Sequence, residues 1–536
     1  MAHKNSPVDL LFALFPLNEH ARELVQYEPN SHLVSVVDIS SPAGKSYGYG
    51  LNIEAQILPK SPRTLITIGR DADILVPIPT DAPDACISRV QCSFEIQEET
   101  GEILLQDRSS FHNTQFHGDD AFPFQSERVP RRVLVRDTMN TMFGFGNPDA
   151  KLFLFRIAWP SKPRKLAVGC ASALENPRMM RTQELQREHS STEKASYGRS
   201  MDGESPPLRY IMGRLIDIGV SRNVYESVDV DSGRLLAVKT IDAGTHSVQD
   251  IERELAILKS LWHPNILEFI AAQTNGSFLE IITPLKHGNV RDLIKQGVFP
   301  AQTDVISTLT HHMLQALDYI SIRGIVHRDI KPQNILYRKG PGFLFQLADF
   351  GSSNWVSKAR TFVAGSPIWM APEIMANNGI MQTPKVDVWS LYVVIVQVLN
   401  VRGFHDKTKE FKEGRDIFMA LEEAYQDDIV APLRPMAHID PEQRASAAEM
   451  LDALFNGVGR AILRNTSTDI SMADRDSMPC LPLLQQSKNP ASWPHDNNKG
   501  AQQPTSKQLK SVAKGTKTEK VGSRRRHQVE KHKLIR

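Results

Sequence analysis

The sequence predicts a multidomain chain in which an all-β sandwich precedes an α+β bilobal domain and a disordered basic tail. Three observations predict it. From about Leu33 to Trp159, short apolar or alternating runs (TLITIG, CSFEI, EILLQD, RRVLV, KLFLFRIAW) are broken by turn residues, the pattern of a sandwich. From Leu208, strand-like runs surround one helical segment, SVQDIERELAILKSL, and beyond Val290 the apolar spacing is helical, as in QTDVISTLTHHMLQALDYI. Beyond about Asn465, scattered Ser, Gln, Asn and Pro give way to the Lys/Arg-rich end KQLKSVAKGTKTEKVGSRRRHQVEKHKLIR. A polar, basic stretch without periodicity, Ser161 to Pro207, reads as a linker. The expected limits are therefore 33–159 for the sandwich, 160–207 for the linker, 208–457 for the bilobal domain and 458–536 for the tail.

A chain of 536 residues is too long for one core. Its 41% hydrophobic and 23% charged residues fit soluble globular domains, and a net charge of +2 gives no global attraction to polyanions. The four cysteines, Cys86, Cys92, Cys170 and Cys480, have no ligand-like spacing, which argues against a disulfide framework or a zinc site and for a reducing compartment. The apolar run from Val8 to Leu17 lacks the basic flank and cleavage site of a secretory leader. No stretch approaches the roughly 18 uninterrupted apolar residues that span a bilayer, so no membrane partner is expected.

Three elements carry the chemistry: VHRDIKPQNIL, then LADFG, then SPIWMAPE, all downstream of LLAVK and a helical glutamate. In this order they resemble the protein kinase family. Phosphoryl transfer needs little covalent help and much alignment and charge neutralisation, and the resemblance supplies a residue for each task. It implies ATP as phosphoryl donor and Mg2+ as cofactor. Lys239 would reach the α- and β-phosphates with Glu254 holding it, Gly219, Val224 and Ala237 would line the nucleotide, and Asn334 and Asp349 would hold the metal through hard oxygens. Asp329 would accept the substrate hydroxyl proton, and Lys331, where tyrosine kinases usually differ, implies serine/threonine substrates. In the glycine loop, DIGVSRNVY, only the middle glycine is kept. Asp217 would repel phosphate there and Arg222 would attract it, a balance the sequence leaves open. The resemblance also implies that Asp387 braces the catalytic loop, although Tyr392 stands where glycine is usual, and that Arg444 pairs with Glu373. Between Asp349 and Glu373 lie Ser352, Ser353, Ser357, Thr361 and Ser366. A phosphate on Thr361 would pair with Arg328 and order that segment.

In the β-rich part, TIGRDADILV, CISRVQCSF and LLQDRSSFHNTQFHG resemble in order the three motifs of the forkhead-associated (FHA) family. The resemblance implies an FHA sandwich that binds phosphothreonine through Arg70, Ser88, Arg89, Ser110, His112 and Asn113, since a dianion is best held by charge-assisted hydrogen bonds from loops. Gln91 replaces the usual histidine and serves if its amide satisfies the same buried bonds. His112 and Asn113 replace an Asn-Gly pair, with Asn113 expected to take the left-handed turn conformation. Cys86 and Cys92 are expected to pack in the core.

An FHA domain joined to a serine/threonine kinase resembles the checkpoint kinases of DNA-damage signalling and their meiotic relatives in fungi. It implies phosphothreonine-bearing partners, Ser/Thr protein substrates and recruitment that raises local concentration. The Thr182-Gln183 dipeptide is of the kind damage-sensing kinases modify. The basic end favours the nucleus over the cytoplasm, and no nucleic-acid contact is expected beyond nonspecific touching by that tail. The rival reading is a phosphopeptide-binding scaffold whose kinase fold lacks turnover.

Overall fold

The computed structural model describes residues 10–38, 47–54, 63–77, 86–125, 128–147, 151–160, 207–218, 222–244, 247–356, 366–376 and 382–461. The linker dipeptide Thr182-Gln183, Gly219, Thr361 and almost all of the basic tail lie outside them. The chain divides into two compact units, residues 1–245 with 269–285, and 246–268 with 286–536.

The first unit holds the sandwich. Its strands are β1 (Leu10–Pro16), β2 (Val34–Asp38), β3 (Tyr47–Glu54), β4 (Thr64–Gly69), β5 (Ile74–Leu75), β6 (Cys92–Ile96), β7 (Ile103–Asp107), β8 (Thr114–His117), β9 (Arg132–Val135), β10 (Met142–Asn147) and β11 (Lys151–Ala158). They form a six-stranded sheet, β2-β3-β1-β11-β10-β8, and a five-stranded sheet, β5-β4-β6-β7-β9. One apolar core joins the sheets, with Phe12, Phe94, Phe143, Phe145, Phe153 and Phe155 all buried in it. Aromatic pairs add directional contact beyond area burial, as where Phe145 and Phe153 stack at 5.2 Å.

The sandwich begins earlier than expected. β1 pairs with β11 on one side and β3 on the other, so the run LLFALFP is an interior strand and the sandwich starts at Leu10, not Leu33. Asn18 then caps the helix Glu19–Gln26 by accepting the Ala21 N–H at 3.0 Å.

The same unit carries a third sheet, β12 (Tyr210–Ile218), β13 (Arg222–Asp229), β14 (Leu235–Asp242), β15 (Ala271–Asn275) and β16 (Phe278–Pro284), in the order β12-β13-β14-β16-β15. Alternation gives β14 two faces. Leu236 and Val238 are buried with Ile282 and Leu208, while Ala237 and Lys239 are half-buried on the other face, with Val224 directly opposite Lys239.

The second unit is mainly helical. Its central helix, Lys385–Val398, is buried at every residue from Val386 to Val398, which accounts for its being apolar nearly all round. Ser247 caps the helix Val248–Ser260, and Ser446 with Glu449 forms a reciprocal capping box on Ala447–Phe455. Short strands β17 (Gly288–Asn289), β18 (Ile325–Val326), β19 (Ile335–Lys339), β20 (Phe343–Leu347) and β21 (Asn354–Trp355) flank the segments that carry the chemistry. Among the described residues no single helix is long and apolar enough to cross a membrane.

Candidate functional site

The loop between β18 and β19 carries Asp329, Lys331 and Asn334 and is held from beneath by Asp387. The Asp387 carboxylate, in the first turn of the buried helix, accepts the backbone N–H of His327 at 2.7 Å and of Arg328 at 2.8 Å. Those two bonds fix a backbone that turns through Arg328 at φ +69°, a conformation costly for a residue with a side chain. His327 is fully buried. Its Nε2 lies 3.1 Å from the Ala348 carbonyl and its ring meets Phe350 edge-on at 4.8 Å, so the loop and the DFG segment are packed together. The Ala348 N–H donates to the Asn334 carbonyl at 2.9 Å, which sets Asp349 one residue from the catalytic loop. Asp349 itself is left-handed, at φ +63°.

Asp329 is 8% exposed and both its oxygens are engaged. Lys331 Nζ donates to Oδ2 at 2.7 Å, Asn334 Nδ2 to the same oxygen at 3.0 Å, and Ser366 Oγ to Oδ1 at 3.0 Å. Lys331 also reaches Ser366 Oγ at 3.1 Å. Such a cage orients a carboxylate, as a proton acceptor requires. Ser366 was only one of several loop hydroxyls in the sequence. Its place as a bridge between Asp329 and Lys331 emerges from a contact across 37 residues. The Asn334 amide nitrogen is spent on Asp329, donating also to its carbonyl at 2.8 Å, which leaves the amide oxygen for a cation. With the Asp349 carboxylate this is a pair of hard oxygen donors, and it fits magnesium.

Burial sets the electrostatics of the brace. The Asp387 carboxyl is raised to about 7, chiefly by burial, with the His327 and Arg328 N–H groups and the Arg328 guanidinium opposing the shift. A carboxyl whose folded pKa exceeds its unfolded value favours folding in its protonated form. That stabilisation is complete below about pH 4 and is lost as pH rises through about 7. Asp387→Asn cannot ionise. Its stability relative to the parent chain, followed by urea unfolding, is expected to improve from about pH 5 to about pH 7 and to level off above that; a difference independent of pH would contradict this.

Glu373 and Arg444 pair as expected. Both terminal nitrogens of Arg444 meet the carboxylate, at 2.7 and 2.8 Å, and the guanidinium also donates to the carbonyls of His438, Lys385 and Ile439. Glu254 is buried on the helix Val248–Ser260 of the second unit, and Lys239 lies on β14 of the first. Arg328 donates Nε to the Ser352 carbonyl at 2.6 Å, while its Nη1 and the Arg253 Nε have no hydrogen-bond partner among the described residues.

In the sandwich, the expected ligand residues gather. The Arg70 N–H donates to the Ser88 carbonyl at 3.2 Å, the Asp71 N–H to the Arg89 carbonyl at 2.9 Å, and the Ser110 N–H to Ser88 Oγ at 3.2 Å. Gly69 permits this approach, because a Cβ there would lie 2.1 Å from the Arg89 carbonyl oxygen. Arg70, Arg89, Ser110 and His112 are exposed, Ser88 and Asn113 half-buried. Gln91 is fully buried, accepts the Ser88 N–H at 3.0 Å and donates to Asn113 Oδ1 at 2.7 Å and Thr114 Oγ1 at 3.1 Å. Two expectations are corrected. His112, not Asn113, takes the left-handed turn, at φ +51°, because Asn113 is tied down by Gln91 and by donating to the Cys86 carbonyl. Cys92 packs in the core, but Cys86 is half-exposed with φ +42°.

The family model for the protein kinase domain matches residues 210–456. That match covers a little under half of the chain. The chain is similar to mitogen-activated protein kinase kinase kinase 2 of Arabidopsis thaliana, 33% identical over 229 residues, or 40% of this chain and 34% of that relative. Mitogen-activated protein kinase kinase kinase 3 of the same plant is 30% identical over 277 residues, 47% of this chain and 41% of its own length. The serine/threonine-protein kinase TAO3 of Rattus norvegicus is 34% identical over 200 residues, 36% of this chain and 22% of its own. The chain thus spans well under half the length of these relatives.

Proposed function

We propose that the chain is an ATP-dependent serine/threonine protein kinase recruited to phosphothreonine-bearing proteins by an FHA domain. The observation that carries the catalytic half is the caged Asp329 carboxylate, with Lys331 and Asn334 donating to Oδ2 and Ser366 to Oδ1. Asp329 takes the proton of a substrate hydroxyl as that oxygen bonds to the terminal phosphorus of ATP and the bond to the bridging oxygen breaks, releasing ADP, while Lys331 offsets charge on the group in transfer. Asn334 and Asp349 would hold magnesium, which would supply charge neutralisation for the nucleotide phosphates. Lys239 serves the α- and β-phosphates. A phosphate on Thr361 meets Arg328, which has a spare N–H and whose pKa is lowered first by burial and next by the positive charge of Arg253.

The recruiting half rests on the loop cluster of the sandwich, where Gly69, Ser88, Gln91 and Asn113 hold Arg70 and Arg89 at the surface. Phosphothreonine peptides from a random library are expected to bind the full chain better than their unphosphorylated counterparts, and Arg70→Ala to weaken them about tenfold or more, the loss of one charge-assisted contact. Equal binding of both peptide forms would remove the FHA reading and leave the kinase reading standing. The pairing of the two modules supports a role in nuclear checkpoint signalling, with recruitment promoting phosphorylation in trans.

A further inference from the structure

The turn joining β13 to β14, Asp229–Arg234, belongs to the kinase domain by sequence yet is buried in the sandwich. Val230 is 0% exposed and shares the apolar core of Phe94, Leu105 and Val133. A hairpin tip ordinarily faces water, which receives its carbonyls. Here donors from the sandwich receive them: Leu134 N–H donates to the Val230 carbonyl at 2.8 Å, Arg132 Nε to that of Asp231 at 3.2 Å, and Thr100 Oγ1 to that of Gly233 at 3.0 Å. Arg128 Nη1 lies 3.2 Å from Asp231 Oδ2. From the kinase side, Arg209 pairs with Asp231 and donates Nη1 to the Pro123 carbonyl at 2.7 Å.

The turn arrives already shaped. Ser232 Oγ donates to Asp229 Oδ2 at 2.5 Å and the Asp231 N–H to Asp229 Oδ1 at 3.0 Å, so a buried carboxylate is satisfied within the turn itself. Gly233, at φ +69°, sits where a Cβ would meet Gln97 and Leu104 of the sandwich at 3.3 Å each. Arg132 completes the fit, with Glu95 of the sandwich and Asp229 of the turn both favouring its charge against burial.

We propose that the sandwich is a structural subunit of the kinase's small sheet, with the β13–β14 turn as its docking plug, and that nucleotide binding by that sheet depends on the plug being seated. The docking claim stands on the contacts above; the dependence rests on the kinase reading.

The test uses the full chain with a protease site placed within residues 161–206. After cleavage, the two fragments are expected to co-elute on size exclusion without denaturant; separation would overturn the docking claim. Val230→Asp in the same chain is expected to release the fragments and, uncleaved, to weaken binding of a non-hydrolysable ATP analogue about tenfold. Should that variant unfold, Asp231→Lys, which sets a third cation against Arg128 and Arg209, gives the same two readouts. A variant whose fragments separate while nucleotide affinity is unchanged would overturn the dependence. A parent chain that binds no nucleotide would instead refute the kinase reading, with co-elution still judging the docking.

Discussion

Asp329→Ala is expected to slow phosphoryl transfer about 10²- to 10⁴-fold, the range for loss of a positioned general base. Two features make the effect one of chemistry rather than of folding. The loop that carries Asp329 is fixed through backbone groups, by Asp387 on His327 and Arg328 and by Asn334 on Ala348, none of which the substitution touches. Asp329 also has no task in the proposal that involves ATP itself, so nucleotide affinity is expected to change little. Initial rates against both substrates separate the cases: a fall in kcat at constant KM for ATP supports the assignment, whereas a rise in KM alone would assign Asp329 to nucleotide binding.

The largest expected effect on stability belongs to Arg444→Ala. The Arg444 side chain is fully buried and the Glu373 side chain nearly so, and removing one partner of a buried pair strands the other. The expected cost is about 3–5 kcal/mol, and three backbone carbonyls lose a donor besides. The indole of Trp389, with the Arg444 guanidinium 5.2 Å above its ring, offers a local fluorescence probe of urea unfolding. Arg444→Lys keeps the charge but not the two-point geometry, so it should fall between the parent and the alanine variant. An alanine variant within about 1 kcal/mol of the parent, the scale of an exposed pair, would contradict this account.

The sequence is most legible where chemistry dictates residue type. The motif that carries Asp329, Lys331 and Asn334 was visible in the sequence, and the three side chains meet in the structure, as do Asp387 with the backbone of His327 and Arg328, and Glu373 with Arg444. Gln91 could be read as a buried hydrogen-bonding group, and its amide both accepts and donates inside the sandwich. The strands TLITIG, CSFEI, EILLQD, RRVLV and KLFLFRIAW announce themselves by local pattern and appear as β4, β6, β7, β9 and β11.

What stayed hidden depends on partners far along the chain. LLFALFP is nearly all apolar because β1 lies inside a sheet, and an unbroken apolar run carries no period to distinguish strand from leader. Its register with β11 spans more than a hundred residues. Ser366 looks like any loop hydroxyl until folding brings it to Asp329. The sequence of the β13–β14 turn, VDVDSGR, signals a turn correctly but gives no hint that Val230 is core. The left-handed His112 was likewise beyond local rules, which favour Asn113 at such a position.

The central claim is tested most directly by incubating the purified full chain with ATP, Mg2+ and a generic basic protein and identifying the phosphorylated amino acids by mass spectrometry. Phosphoserine and phosphothreonine that vanish with Asp329→Ala are the expected result. No phosphate transfer, transfer to tyrosine alone, or transfer undiminished by Asp329→Ala would contradict it.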